Sequence, residues 1–271
     1  MATPKSSQSN QLTLIDWPDS KRAFPVPFGQ SSLFRVGDSR EPREMFRKFQ
    51  IATTGEYQLN YTGEELRIDD EDVLLQLLHL AKGQDVTTKG FKVEFSSRSM
   101  LEVLGWDSGG SSHDRLRSCI ERLQNGSITL KRLISLSVTR VFFGSFISSA
   151  FLEEAGRSSK WVIYINEDSA KLLMPRAELH WPSRLALRSD LAKWLQTFIE
   201  SESLGHFQDH DINELMRLSG SRAKTFSTFK TTLKRALTEL SAEKIIESYE
   251  FISTYIVRIH VNHEDHDYAV N

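Results

Sequence analysis

Apolar and polar positions alternate along this chain in blocks whose period changes from two to between three and four. Tyr57-Gln58-Leu59-Asn60-Tyr61 alternates as a half-buried strand does, and Thr62-Gly63 ends the run. In "IDDEDVLLQLLHLAKG", Val73, Leu74, Leu77, Leu78 and Ala81 share one helical face, the acidic start (Asp69, Asp70, Glu71, Asp72) suits a cap and the helix dipole, and Gly83 closes the helix. "FKVEFSSRSMLEVLGW" predicts a short strand, a Ser N-cap and a helix carrying Met100, Leu101 and Leu104 that stops at Gly105. The turn "DSGGSSHD" leads into the helix "RLRSCIERLQNG", and strand-like stretches follow in "SITLKRLISLSVTRVFFGSFISSAFLE" and "KWVIYIN".

Helix, helix, turn, helix and β-hairpin in that order describe a winged helix-turn-helix domain. The order then repeats without obvious sequence identity. "SRLALRSDLAKWLQTFIES" reads as one long amphipathic helix, "DHDINELMRLSG" as a helix capped by Asp and closed by Gly, and "AKTFSTFKTTLKRALTELSAE" as another; "KIIESYEFISTYIVRIHV" supplies two β-runs. The predicted fold is α+β: tandem winged helix-turn-helix domains over residues 45–168 and 169–262, with a C-terminal tail at 263–271. Residues 1–44, rich in Ser, Gln and Gly and interrupted by prolines at 18, 25, 27 and 42, are expected to form a flexible arm. A generic α+β domain is the competing structural reading.

The last helix carries the sharpest signal. At 100° per residue, Phe226, Phe229, Leu233, Leu237 and Leu240 form one narrow apolar stripe. Lys224, Thr228, Thr231 and Arg235 fall opposite, flanked by Ser227 and Lys234, and no carboxylate occurs before Glu239. A solvated face usually mixes opposite charges at i,i+4 spacing. A cationic, small-polar face suits a major groove, where Arg or Lys reaches guanine and Ser or Thr touches bases or phosphates. Its N-terminal half, with Lys224, Ser227, Thr228 and Thr231, is expected to read bases, while Lys234, Arg222 and Arg235 hold the backbone. The matching helix of the first unit exposes Asp114, Ser118 and Glu121. DNA contacts there would come from Arg115, Arg117 and Arg122 and from Lys131, Arg132 and Arg140 on the following hairpin, with partner or dimer contacts an equal alternative.

Composition narrows the class. The 271 residues are 39% hydrophobic and 26% charged, enough for a sizeable core. The formal net charge of −2 excludes a uniformly basic coat, so any polyanion must meet local patches. Two stretches qualify. Residues 215–238 hold Arg217, Arg222, Lys224, Lys230, Lys234 and Arg235 without an acid, and residues 122–152 hold Arg122, Lys131, Arg132 and Arg140 likewise. No apolar run is long enough to cross a bilayer and no secretory signal is visible, which points to the cytoplasm and away from membranes. Lone Cys119 sits among Leu116, Ile120 and Leu123 as a buried small hydrophobe. No phosphate loop and no nucleophile–base pair is present, so neither catalysis nor a cofactor is expected. The His-rich "GHFQDHD", with His206 and His210 four apart, and "NHEDHD" mimic metal sites, but a turn and a polar tail explain them and no metal is expected.

Taken together, "QLTLIDWPDS", "SLFRVGDSREPREMF", "YTGEELRIDDEDVLLQLLHLAKG" and "LGWDSGGSSHDRLRSCIERLQ" resemble the corresponding stretches of TrfA-type plasmid replication initiators. The likeness runs from about residue 11 to residue 262. The YTGxELRxDDxD block is its most specific part; the second unit matches mainly in element order and in "SGSRAKTFSTFKTTLKRALTEL". The resemblance implies tandem winged helices that bind iteron repeats in double-stranded origin DNA. It also implies opening of adjacent AT-rich DNA and recruitment of host helicase, host initiator proteins and the β sliding clamp, without ATP hydrolysis by the protein itself. The acids on the first unit's exposed helix depart from that expectation. The N-terminal "QLTLIDW" resembles the QL(S/D)LF peptide by which replication proteins dock on the clamp. Gln11, Leu12, Leu14 and Ile15 would make the contacts, with Ile in place of Phe weakening them; the alternative is a segment folded back on the first domain. A winged-helix transcriptional repressor and a non-DNA-binding scaffold are the other functional readings, and homodimerisation is left open.

Overall fold

A computed structural model describes residues 12–13, 16–37, 41–54, 57–86, 90–135, 138–155, 158–174, 177–202 and 207–262. Strand β1 (Leu12–Thr13) is followed by β2 (Lys21–Phe24) and the single-turn helix α1 (Val26–Gly29). Of the flexible arm expected over residues 1–44, residues 16–37 pack into the fold. Trp17, Ala23, Phe24, Phe28, Leu33 and Phe34 are buried, because their apolar area is large enough to offset the entropy of ordering the segment. The prolines that read as interruptions start a helix instead: Pro25 is extended at the N-cap of α1 and Pro27 lies in its first turn, where its missing N–H removes no hydrogen bond.

Strands β3 (Met45–Ile51) and β4 (Tyr57–Glu64) pair antiparallel and lead into α2 (Ile68–Ala81), whose Val73, Leu74, Leu77, Leu78 and Ala81 are buried as their spacing predicts. Strand β5 (Asp85–Val86) pairs with β1. Strand β6 (Phe91–Ser96) then runs into α3 (Ser97–Val103), capped by Ser96, whose hydroxyl accepts the Ser99 N–H. Gly105, at φ +68°, turns the chain out of α3 toward α4 (Gly110–Asn125).

After α4 the chain builds two hairpins rather than one. Strands β7 (Ser127–Ser135) and β8 (Val138–Gly144) complete a four-stranded sheet in the order β3-β4-β7-β8. Strands β9 (Ser149–Ala155) and β10 (Ser158–Ile165) join β6 in the order β6-β10-β9. Helix α5 (Glu167–Leu172) and strand β11 (Ala177–His180) follow, and β11 pairs with β2.

The long helix expected over residues 183–201 is two helices, α6 (Trp181–Ala186) and α7 (Asp190–Ser201). Leu187 is extended between them, and the Ser189 hydroxyl accepts the Ala192 N–H, which starts the second helix afresh. Strand β12 (Phe207–Asp211), α8 (Ile212–Leu218), α9 (Phe226–Ala242), β13 (Ile246–Glu250) and β14 (Ile256–Val261) complete the fold, with sheet order β12-β14-β13.

One plan thus occurs twice. The series α2-β6-α3-α4-β9-β10 and α7-β12-α8-α9-β13-β14 share an element order, and in each sheet the last strand lies between the first and the second. The first unit adds the β7–β8 hairpin. The N-terminal segment joins the two: Arg22 Nε donates to Gln76 of α2 in the first unit at 2.8 Å, while Trp194 Nε1 of α7 in the second donates to the Ser31 carbonyl at 3.3 Å and Gln30 Nε2 donates to the Ser201 carbonyl at 2.9 Å. Among the described residues, no helix is long and apolar enough to cross a membrane.

Candidate nucleic-acid interface

Helix α9 is anchored by Phe229, Leu233, Ala236, Leu237 and Leu240, all fully buried, while Phe226 is half-buried. Thr225 caps it: its hydroxyl accepts the Thr228 N–H at 3.1 Å, placing Lys224 just ahead of the first turn. Ser227, Thr228, Thr231, Lys234 and Arg235 are exposed along the opposite side, as is Lys224. The Thr231 hydroxyl donates back to the Ser227 carbonyl at 3.0 Å, so its methyl group and oxygen lone pairs are left outward. Lys230 leaves this face. Its Nζ donates to the Thr254 carbonyl at 2.7 Å and lies 4.9 Å from the Phe251 ring centre, pinning the β13–β14 turn beside the helix N-terminus.

Arg222 does not join that face. It donates to Glu65 at 2.9 Å and lies 3.2 Å from Glu44 and 3.3 Å from Glu41. Its expected backbone contact is therefore corrected, because three carboxylates already hold the guanidinium. Arg35 steadies the same loop by donating to the carbonyl of Gly220, a residue at φ +61° with Arg35 packed where a Cβ would stand.

The carboxylates of the YTGxELRxDDxD block form a hub at the start of α2. Asp70 accepts the Arg67 N–H and so caps the helix, but it also accepts Arg43 at 2.7 Å and Arg122 at 2.8 Å. Asp69 accepts Arg43 at 2.7 Å, and although burial pushes its carboxyl up, Arg43, Arg115 and Arg122 together hold it at about 2. Asp70 is raised to about 6 by its complete burial and by the Asp69 charge, against Arg122 and Arg43. Cys119 lies within ligand distance of both acids, but Arg43 and Arg122 occupy their oxygens and burial raises the thiol well above its usual range, an arrangement suited to ion pairing.

Arg122 is consequently buried, its Nε on Asp70, and the DNA contact expected of it is corrected. Arg115 stays half-exposed, 3.3 Å from Asp69 and 3.9 Å above the Trp106 ring. Arg117 pairs with Glu154 at 2.9 Å. Asp114 and Glu121 are exposed on α4, as the sequence predicts. Lys131 and Arg132 are exposed on β7, in the four-stranded sheet rather than on the hairpin that closes the repeated plan. Arg140 is the β8 register partner of Arg132 in the β7–β8 pairing.

A cleft of about 960 Å³ brings the two units' third helices together: Arg115, Ser118 and Arg122 of α4 line one side, Thr232 and Arg235 of α9 the other. Arg188, in the break between α6 and α7, stands at the same cleft. Sequence reasoning placed Arg188 inside a helix and missed it; the Ser189-Asp190 pair is a start signal that would have exposed the break. Of the other sequence candidates, Gln11, Leu14, Ile15 and His206 lie outside the described residues, as does "NHEDHD" beyond Asn262. Leu12 lies in β1, paired with Val86, while Trp17 is buried and donates Nε1 to His79 Nδ1 at 3.1 Å. His210 lies in β12 with its Nε2 3.6 Å from Glu202.

The family model described as TrfA protein matches residues 3–175. The plasmid replication initiator protein TrfA of Escherichia coli is 32% identical over 127 residues, covering 45% of this chain; the match spans about a third, 32%, of that relative's length. Two crystal structures of domains 2 and 3 of RctB share the fold. One aligns with a TM-score of 0.55 at 17% identity over 84% of this chain and 94% of that one, the other with 0.54 at 16% over 84% and 95%.

Proposed function

Because this chain belongs to the TrfA family, we propose that it is a plasmid replication initiator that binds iteron repeats in double-stranded origin DNA through two winged helices, with α9 reading the bases. The repeated plan, three helices closed by a β-hairpin in each unit, supports this reading. The observation that carries the reading is the α9 face. Among the described residues, Lys224, Lys234 and Arg235 make no ion pair, and Ser227, Thr228 and Thr231 lie exposed between them. A face of short hydroxyls flanked by cations approaches a groove closely without a carboxylate to repel phosphate. Bound origin DNA would then be opened at adjacent AT-rich sequence with host helicase and initiator proteins. Nothing in the sequence offers a cradle for ATP, so hydrolysis is left to those partners. The Gln11–Ile15 peptide is the sliding-clamp tether in this reading. Its two-residue pairing of β1 with β5 is short enough to release at small cost.

The test compares Lys224→Ala, Thr228→Ala and Thr231→Ala with Lys234→Ala on iteron and scrambled duplexes. Base contacts are worth about 1–3 kcal/mol each and depend on sequence, whereas a phosphate contact weakens both duplexes alike. The first three variants are expected to lose iteron affinity selectively and Lys234→Ala to lose both. Equal losses on both duplexes for all four, or none, would show that α9 is not the reader.

A further inference from the structure

The cleft between α4 and α9 is asymmetric in charge once its ion pairs are assigned. Arg43 and Arg122 are committed to Asp70, and Arg67 donates to Glu65 at 2.8 Å. Arg115 shares Asp69, which already holds Arg43 on both oxygens. Arg188 and Arg235 remain, exposed, and among the described residues neither side chain pairs with a carboxylate. The backbone of Arg188 is fixed nonetheless: its N–H and that of Ser189 donate to Glu239 of α9 at 2.9 and 3.1 Å. The break between α6 and α7 is thus tied to the helix that carries the candidate reading face.

Resting on the DNA-binding reading above, we propose that Arg188, Arg235 and Arg115 form one phosphate-binding seam, over which the DNA backbone passes between the grooves met by the two units. Arg188 is the new contact. A duplex lying on Thr228 and Thr231 of α9 has its neighbouring strand on the Arg235 side of the helix, and that side opens into the cleft. The planar guanidinium of Arg115, stacked on Trp106, meets a phosphate from the opposite wall with little rotamer freedom left to lose. The acids lining the cleft are already engaged: Asp69 accepts Arg43 on both oxygens and lies 3.3 Å from Arg115. Glu41 is engaged by Arg222. This contact carries no sequence information and sets the spacing and orientation of the two units on the duplex.

The experiment is titration of the full chain and of Arg188→Ala, Arg115→Ala and Thr231→Ala on iteron and scrambled duplexes of equal length between 50 and 200 mM salt, with thermal melts confirming that each variant is folded. Each neutralised phosphate contributes about 0.9 to the slope of log affinity against log salt. Arg188→Ala and Arg115→Ala are therefore expected to flatten the slope by about 0.9 each and to weaken both duplexes by the same factor, unlike Thr231→Ala. An unchanged slope in Arg188→Ala, with wild type binding DNA, overturns the seam. A wild type that binds both duplexes equally sinks base reading by α9 but leaves the seam measurable on either duplex; a wild type that binds neither overturns both. Calorimetry with ATP and with inorganic phosphate separates backbone from free anion. Heat that disappears in Arg188→Ala while its DNA binding is unchanged would assign the cleft to a small anion and overturn the proposal.

Discussion

Replacing Arg184 by Met should cost the protein a large share of its stability. The Arg184 guanidinium is wholly buried and donates to Asp72 at 2.8 Å, Glu71 at 2.6 Å, the Thr197 hydroxyl at 2.9 Å and the Lys193 carbonyl at 2.5 Å. It joins α2 of the first unit to α6 and α7 of the second. Methionine fills much of the same volume, so the loss is chiefly electrostatic. Asp72 keeps Lys193 at 2.7 Å, but Glu71, whose carboxyl burial already raises against the pull of Arg184, is left as an uncompensated buried acid. Breaking such a pair costs about 3–5 kcal/mol, against a total stability of about 5–15 kcal/mol. At roughly 2–4 °C per kcal/mol for a chain of this size, the melting temperature should fall by about 6–20 °C. Urea unfolding followed by tryptophan fluorescence measures the free energy, and calorimetry the midpoint. Adding Glu71→Gln to Arg184→Met removes the stranded charge and should recover at least half of the loss. A deficit under about 1 kcal/mol in Arg184→Met, or no recovery in the double variant, would refute the claim that this buried network locks the two units.

Two further outcomes follow from single contacts. Desolvation holds Glu202 up at about 7 and His210 down at about 4, so the folded state keeps the Glu202 proton from about pH 4.5 to 7 and refuses the His210 proton from about 6.5 to 4. Glu202 thus contributes stability that is full below its unfolded value and lost as pH rises through 7, while His210 contributes stability lost as pH falls below 6.5. The opposed slopes nearly cancel in the wild type. In Glu202→Gln the His210 slope stands alone, and the stability of wild type relative to the variant should be greater at pH 4.5 than at pH 7 by up to about 3 kcal/mol; a difference independent of pH would refute the assignment. At the N-terminus, Leu12→Ala and Leu14→Ala should weaken binding to the β sliding clamp without changing the melting temperature, whereas Trp17→Ala should lower it because Trp17 is buried. Unchanged clamp affinity in both leucine variants would remove the tether.

What the sequence determined by itself is what depends on neighbours three or four residues away. The stripe Phe229, Leu233, Leu237 and Leu240 is buried as its period demands, Ser96 and Asp211 cap the helices they precede, and Gly105 turns the chain out of α3. The helix–strand order of both units and the opposed cationic face of α9 follow from the same local rule. Which basic residues face water was decided only by tertiary structure. Arg122 and Arg222 stand in acid-free stretches, yet their carboxylates, Asp70 and Glu65, come from 52 and 157 residues away. Proline- and serine-rich composition likewise hid the burial of Trp17 and Phe28, since the surfaces that cover them belong to other elements. The division of residues 127–165 between two sheets depends on β3, β4 and β6, and the break at Arg188 on a cap whose last acceptor, Glu239, lies 51 residues on. Periodicity specifies which side of an element is apolar; the partner that meets each polar side is set by packing across the whole chain, because charge pairing in a low-dielectric interior depends on distance in space and not on distance in sequence.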